Sequence, residues 1–113
     1  MQNSTEWLAR GREHQFRGRA VDAMLCFRRA IREAPQTIDA RFHLGEVLWQ
    51  LGRLPDAIAI WTEAAKLAPR HKASHQALME ALLGTGDAVA AGEAAIRVLA
   101  LEAGNVRAQA TAA

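Results

Sequence analysis

A period of 34 residues runs through this chain and restricts its fold more than any other feature. Gly11, Gly18, Ala23, Phe27, Ala30 and Pro35 stand 34 positions before Gly45, Gly52, Ala57, Trp61, Ala64 and Pro69. One period further on, Leu78, Gly86, Ala91 and Val98 match Leu44, Gly52, Ala57 and Ala64. A fixed period of this length implies copies of one supersecondary unit. Each copy leaves an apolar flank that only the next copy covers.

The stretch from His43 to Pro69 shows what the unit is. Leu44, Val47, Leu48 and Leu51 fall at i, i+3, i+4 and i+7, which predicts one apolar face of an α-helix. Gly52 follows, a residue suited to the left-handed conformation that ends a helix. Leu54, Ala57, Ile58, Trp61 and Ala65 then mark the face of a second helix. Pro55 lies in its first turn, where a missing N–H costs nothing. Asp56 suits the positive end of the helix dipole. Pro69 closes the unit, since the residue before a proline avoids the α region. A two-residue connection makes the two helices antiparallel.

Two helices per period, with Trp7, Gly11, Ala23, Phe27 and Pro35 in the first unit and Leu44, Gly45, Ala57, Trp61 and Pro69 in the second, resemble the tetratricopeptide repeat (TPR) family. The resemblance runs from residue 4 to residue 105. It implies an all-α, right-handed superhelical α-solenoid of three antiparallel helix-turn-helix hairpins plus a partial C-terminal helix. Residues 1–113 form one domain in this reading, with repeats 4–37, 38–71 and 72–105 and a partial capping helix over 106–113. The departures are specific. Arg10 stands at the family's leucine, and His14 and Leu48 at its tyrosine. Met79 replaces the small glycine of repeat three, Ala95 its aromatic and Ala103 its proline. A volume swap is expected there, with the large residue moved to the first helix and Met79 turned inward.

Asn3 is expected to cap the first helix, with Glu6 three residues on as its capping-box partner. Thr37, His71 and Asn105 follow in the same phase. Asn105 predicts a further first helix over 106–113 that stops without its partner. Short isolated helices are marginal in water, and solenoids need a polar terminal cap. The expectation is a segment of a longer protein, or a chain that covers its open end by self-association.

Half of the residues are hydrophobic, enough for a core. The N-terminal stretch lacks the apolar region of a signal peptide. No apolar run approaches the roughly 20 residues of a membrane span. Cys26 is the one cysteine, which excludes an internal disulfide and a cysteine metal cluster. A cytoplasmic protein without a membrane partner is expected. The net charge of +2 is unevenly spread. Repeat one holds seven arginines against four acids, and repeat three two bases against four acids.

The chain shows no catalytic motif. It lacks a G-x-S-x-G elbow, a P-loop and a dinucleotide fingerprint. No catalytic residue, cofactor or enzymatic activity is expected. His71 and His75 have i, i+4 spacing, but Lys72 stands where H-E-x-x-H has glutamate and no third ligand is evident. They read as surface or interface histidines, and no metal is expected. His14 reads as a buried hydrogen-bonding residue. Arg28, Arg29 and Arg32 share the outer half of their helix. Without interleaved stacking aromatics they read as a solvated convex face, and no nucleic-acid partner is expected.

The resemblance implies that the first helices of the units line a concave groove holding an extended peptide or a helix of a partner. Carried over residue by residue, the groove takes Thr5, Leu8, Arg12, Gln15 and Phe16 from repeat one. Repeat two adds Asp39, Phe42, Glu46, Trp49 and Gln50, and repeat three Ala73, Gln76, Glu80, Leu83 and Gly84. Phe42 and Trp49, seven positions apart and off the Leu44–Leu48 face, form a natural anchor pair, since aromatics dominate binding hot spots. The family's clamp for chaperone tails uses lysines and asparagines. Its positions here hold Leu8, Arg12, His43, Ala73 and Ala77, so chaperone-tail binding is not expected. The expected function is a protein–protein interaction scaffold for an amphipathic peptide with an apolar anchor. Two alternatives stand beside it: a docking or dimerisation region of a larger enzyme such as a transferase, and a self-assembling module that pairs through its uncapped C-terminal end.

Overall fold

The structure, a computed structural model, describes residues 3–101. They form six helices: α1 (Ser4–Phe16), α2 (Ala20–Glu33), α3 (Ile38–Gln50), α4 (Leu54–Leu67), α5 (Lys72–Gly84) and α6 (Ala88–Leu101). Each helix begins 34 residues after its counterpart. The pairs α1–α2, α3–α4 and α5–α6 are hairpins; α2 packs on α3 and α4 on α5. The result is an all-α helical-repeat solenoid, elongated to 49 × 25 × 20 Å. The expected helix over 106–113, with Asn105 and Ala103, lies outside the described residues.

Glycine makes the turn inside each hairpin. Gly18, Gly52 and Gly86 have φ of 76°, 77° and 84°, a region that costs a residue with a Cβ. The residue after each glycine donates its N–H back across the turn. Arg19 reaches the His14 carbonyl at 2.8 Å, Arg53 that of Leu48 at 2.9 Å and Asp87 that of Leu82 at 3.0 Å. This pattern satisfies helix-end carbonyls that would otherwise be orphaned. Leu51 therefore sits at the helix end and is 36% exposed, so it does not extend the core face of Leu44, Val47 and Leu48.

Small residues set how closely the helices approach. Ala23, Ala57 and Ala91 are fully buried at one phase of the second helices, and Ala30, Ala64 and Val98 at another. Gly11 and Gly45 let the first helices lie against large rings. A Cβ on Gly11 would come within 2.6 Å of Phe27 Cδ1. Repeat three reverses the arrangement: Met79 on α5 is 1% exposed and Ala95 on α6 is fully buried, in one apolar cluster. The large side chain of this repeat thus comes from the first helix and the small one from the second.

Of the expected caps, Asn3 forms one by side-chain hydrogen bond, and Thr37 and His71 hold the cap positions without one. Asn3 Oδ1 accepts from the Glu6 N–H at 2.9 Å. Thr37 holds the cap position of α3 but makes no side-chain cap bond. The Arg41 guanidinium supplies the local polar contacts. It is 7% exposed and bonds the Pro35 and Thr37 carbonyls and Glu63. His75, one period on, is 3% exposed, and its Nε2 lies 2.8 Å from the Pro69 carbonyl. Of its readings as a surface or interface histidine, this overturns the surface one, because the Pro69 carbonyl before α5 meets a buried donor there. His14 also departs from expectation: its Nδ1 is buried without a hydrogen-bond partner. Among the described residues no three His, Cys, Asp or Glu side chains converge as a metal site. No described helix is long and apolar enough to cross a membrane.

Candidate functional site

The first helices of the hairpins share one side of the array, and a cavity of about 510 Å³ opens between α3 and α5. Its α3 wall is Phe42, Glu46, Trp49 and Gln50, at i, i+4, i+7 and i+8. Its α5 wall is Ala73, Gln76, Ala77, Glu80 and Ala81. Both sets follow helical periodicity, so each helix turns a single face to the opening. The alanines keep the α5 wall low, which leaves room above it.

Trp61 reaches the cavity from α4. It is 5% exposed, and its indole N–H donates to the Phe42 carbonyl at 3.0 Å. The Trp49 and Trp61 rings lie 6.1 Å apart at 35°. Phe42 packs edge-on to His43 and His71 at 5.4 and 5.7 Å. The two groove aromatics are therefore half-buried against the core and held from beneath, with one side turned to the cavity. Anchoring of this kind lowers the ordering cost when a ligand arrives.

A second hollow of about 550 Å³ lies between α1 and α3, lined by Ala9, Arg12, Glu13, Gln15, Phe16 and His43. Glu46 stands at the seam between the two. Its Oε1 accepts from Gln15 Nε2 at 3.1 Å and lies 2.7 Å from His43 Nδ1. Burial pushes the Glu46 carboxyl up. The hydrogen bonds of His43 and Gln15, with the charges of His43 and Arg12, outweigh this and hold it below the usual carboxylate range. Glu46 is thus an oriented, ionised group between the two hollows.

The structure gathers most of the expected groove residues but not all. Phe42, Glu46, Trp49, Gln50, Ala73, Gln76 and Glu80 line the first cavity, and Arg12, Gln15 and Phe16 the second. Leu8 is instead partly buried against the core. Asp39 is exposed and lines neither cavity, and Leu83, 39% exposed, also lies outside both. Gly84 faces Trp49, whose ring would meet a Cβ there at 3.8 Å, an ordinary contact. Trp61 and His43 were not among the expected groove residues. Trp61 reads from sequence as core, which it is; only the gap above α5 brings its edge into the cavity.

A stack of antiparallel hairpins with a 34-residue period, glycine turns and a groove on the first-helix side defines a helical-repeat protein. The sequence profile described as Tetratricopeptide repeat matches residues 8–72, more than half of the chain. The chain belongs to the tetratricopeptide repeat family. Solved structures share its fold at low identity. The first TPR of Spaghetti (RPAP3), bound to the HSP90 peptide SRMEEVD, is 17% identical, with a TM-score of 0.87 over 96% of this chain and 89% of that one. MamA is 19% identical, with a TM-score of 0.88 over 96% of this chain; the chain spans 64% of the MamA chain. The first TPR domain of human RPAP3 is 17% identical, with a TM-score of 0.85 over 95% and 84% of the two chains. No curated protein matches the chain significantly.

Proposed function

We propose that this chain is a protein-interaction module that holds an extended peptide or a helix of a partner along α1, α3 and α5. The carrying observation is the cavity between α3 and α5, where Phe42 and Trp49 turn half-buried rings toward an opening of about 510 Å³. Held aromatics beside a low alanine wall offer an apolar anchor site, and such sites dominate binding energy. A TPR relative that holds an HSP90 peptide supports the choice of a peptide as ligand. Each repeat, 4–37, 38–71 and 72–105, contributes its first helix to the groove. The module has no catalytic role in this reading and works in the cytoplasm.

The test is selection of peptides from a random displayed library on the full chain, followed by titration of synthetic hits against Trp49→Ala and Phe42→Ala. Loss of binding in folded variants supports the groove. Hits that bind both variants as tightly as the parent reject it. Self-association through the α6 end is the rival, favoured by Val89 and Ile96, which are seven positions apart and 77% and 61% exposed. Light scattering separates the two readings, and a monomer at all protein and salt concentrations rejects the rival.

A further inference from the structure

The groove reading leaves the charge of the occupant open, and the cavity walls address it. Arg12, Glu46 and Glu80 stand one period apart on α1, α3 and α5. They form a ladder along the groove that is positive at the first helix and negative at the next two. The ionisable side chains lining the cavity between α3 and α5 are Glu46 and Glu80, with no lysine or arginine among the lining residues. Gln50 and Gln76 are the neutral polar groups there. Arg12 of α1 and His43 of α3 act on Glu46 and line the neighbouring hollow instead.

Three aromatic residues share the same walls: Phe42, Trp49 and Trp61. Anionic side chains beside aromatic faces suit a cation with an apolar stem. The ring quadrupole attracts the positive head, the carboxylates pair with it, and the methylenes cover alanine surface. A carboxylate-ended or acidic segment meets the opposite: repulsion from both glutamates in a partly desolvated site.

Resting on the groove reading, we infer that the cavity between α3 and α5 selects partner segments that carry an arginine or lysine, its head held by Glu46 and Glu80 beside Trp49 and its stem along Ala73 and Ala77. An acidic residue of the same segment then falls toward Arg12, which sets the direction of the bound chain.

The experiment uses the full chain and a random displayed peptide library. Hits are synthesised with their basic residues intact or replaced by glutamine, and binding is followed by fluorescence anisotropy. The inference expects enrichment of arginine or lysine next to an apolar residue. It expects about tenfold weaker binding for the glutamine peptides and for the Glu46→Gln, Glu80→Gln double variant, the size of one lost charge-assisted pair. Hits that need Trp49 yet carry no basic residue, or that bind the double variant unchanged, overturn the inference and leave the groove reading standing. An absence of hits, or hits indifferent to Trp49→Ala and Phe42→Ala, overturns both. Should the double variant lose its helical circular dichroism, Glu80→Gln alone, at an exposed position of α5, carries the same comparison.

Discussion

The indole of Trp61 occupies the space that a side chain on Gly45 would need. A Cβ built on Gly45 would lie 2.5 Å from Trp61 Cε2 and 2.6 Å from Cδ1. Trp61 is also tied to the backbone of α3 through its N–H bond to Phe42, so it has little freedom to yield. Gly45→Ala should therefore destabilise the fold by about 1–3 kcal/mol, the usual cost of overpacking a tight core. Urea unfolding would show this as a lower midpoint. An unchanged midpoint would mean that the ring moves aside at no cost.

The reversed pair in repeat three predicts a different failure. Met79 is buried in the same apolar cluster as the small Ala95, so Met79→Ala leaves a void rather than a clash. A loss of about 2–5 kcal/mol is expected. Adding Ala95→Leu to Met79→Ala should recover part of it by filling the space from α6. Absence of any recovery in the thermal midpoint would argue that the two residues do not share one volume.

His75 is expected to act as a structural donor. Its Nε2 meets the Pro69 carbonyl as the Arg41 guanidinium meets that of Pro35. His75→Ala should cost about 1–3 kcal/mol by leaving that carbonyl unpaired. Thermal unfolding would check this, with His75→Gln as the variant that keeps a donor and should lose less. Equal losses from both would point to packing, not the hydrogen bond.

Glu46 gives the fold an acid dependence. Its carboxyl is held below the ordinary range in the folded chain, so the unfolded chain binds its proton at higher pH. The resulting stability is fully present above the unfolded value and is lost as pH falls through the folded one. Glu46→Gln lacks this contribution. The gap in thermal midpoint between the parent and Glu46→Gln should be largest near neutrality and shrink below the usual carboxylate range. A gap that stays constant down to strong acid would remove Glu46 from this account.

Trp49→Ala should weaken binding of a groove peptide by roughly 2 kcal/mol or more, as a central aromatic anchor does. Calorimetric titration of a selected peptide reads this directly. Circular dichroism must show the variant folded, because Trp49 also packs on the core. A folded variant with parental affinity would strike Trp49 from the anchor pair.

Much of the first-helix face was legible because the family resemblance named its positions and helical periodicity placed Phe42 and Trp49 off the core face. Phe42, Glu46, Trp49 and Gln50, which the resemblance implies, lie on the side of α3 away from Leu44 and Leu48, and the 34-residue shift carries that phase to Gln76 and Glu80. Leu8 and Asp39 obey the same periodicity and still do not line the cavities. Leu8 leans on the core and Asp39 sits in the first turn of α3, outside the opening. Phase gives the face of a helix, not the height at which a neighbour leaves a gap.

The sequence by itself determined the helical hairpins, their number over the described residues and the exchange of bulk between Met79 and Ala95. These depend on local periodicity, on glycine's access to positive φ and on volumes that recur at a fixed interval. Tertiary structure decided which polar groups meet. His75 became a buried donor because the Pro69 carbonyl turns back on α5, and Glu46 became the seam of two hollows because α1 brings Gln15 to it. Such pairings join helices or loop and helix across three-dimensional space, where burial raises the cost of an unpaired group, and no spacing along the chain records them.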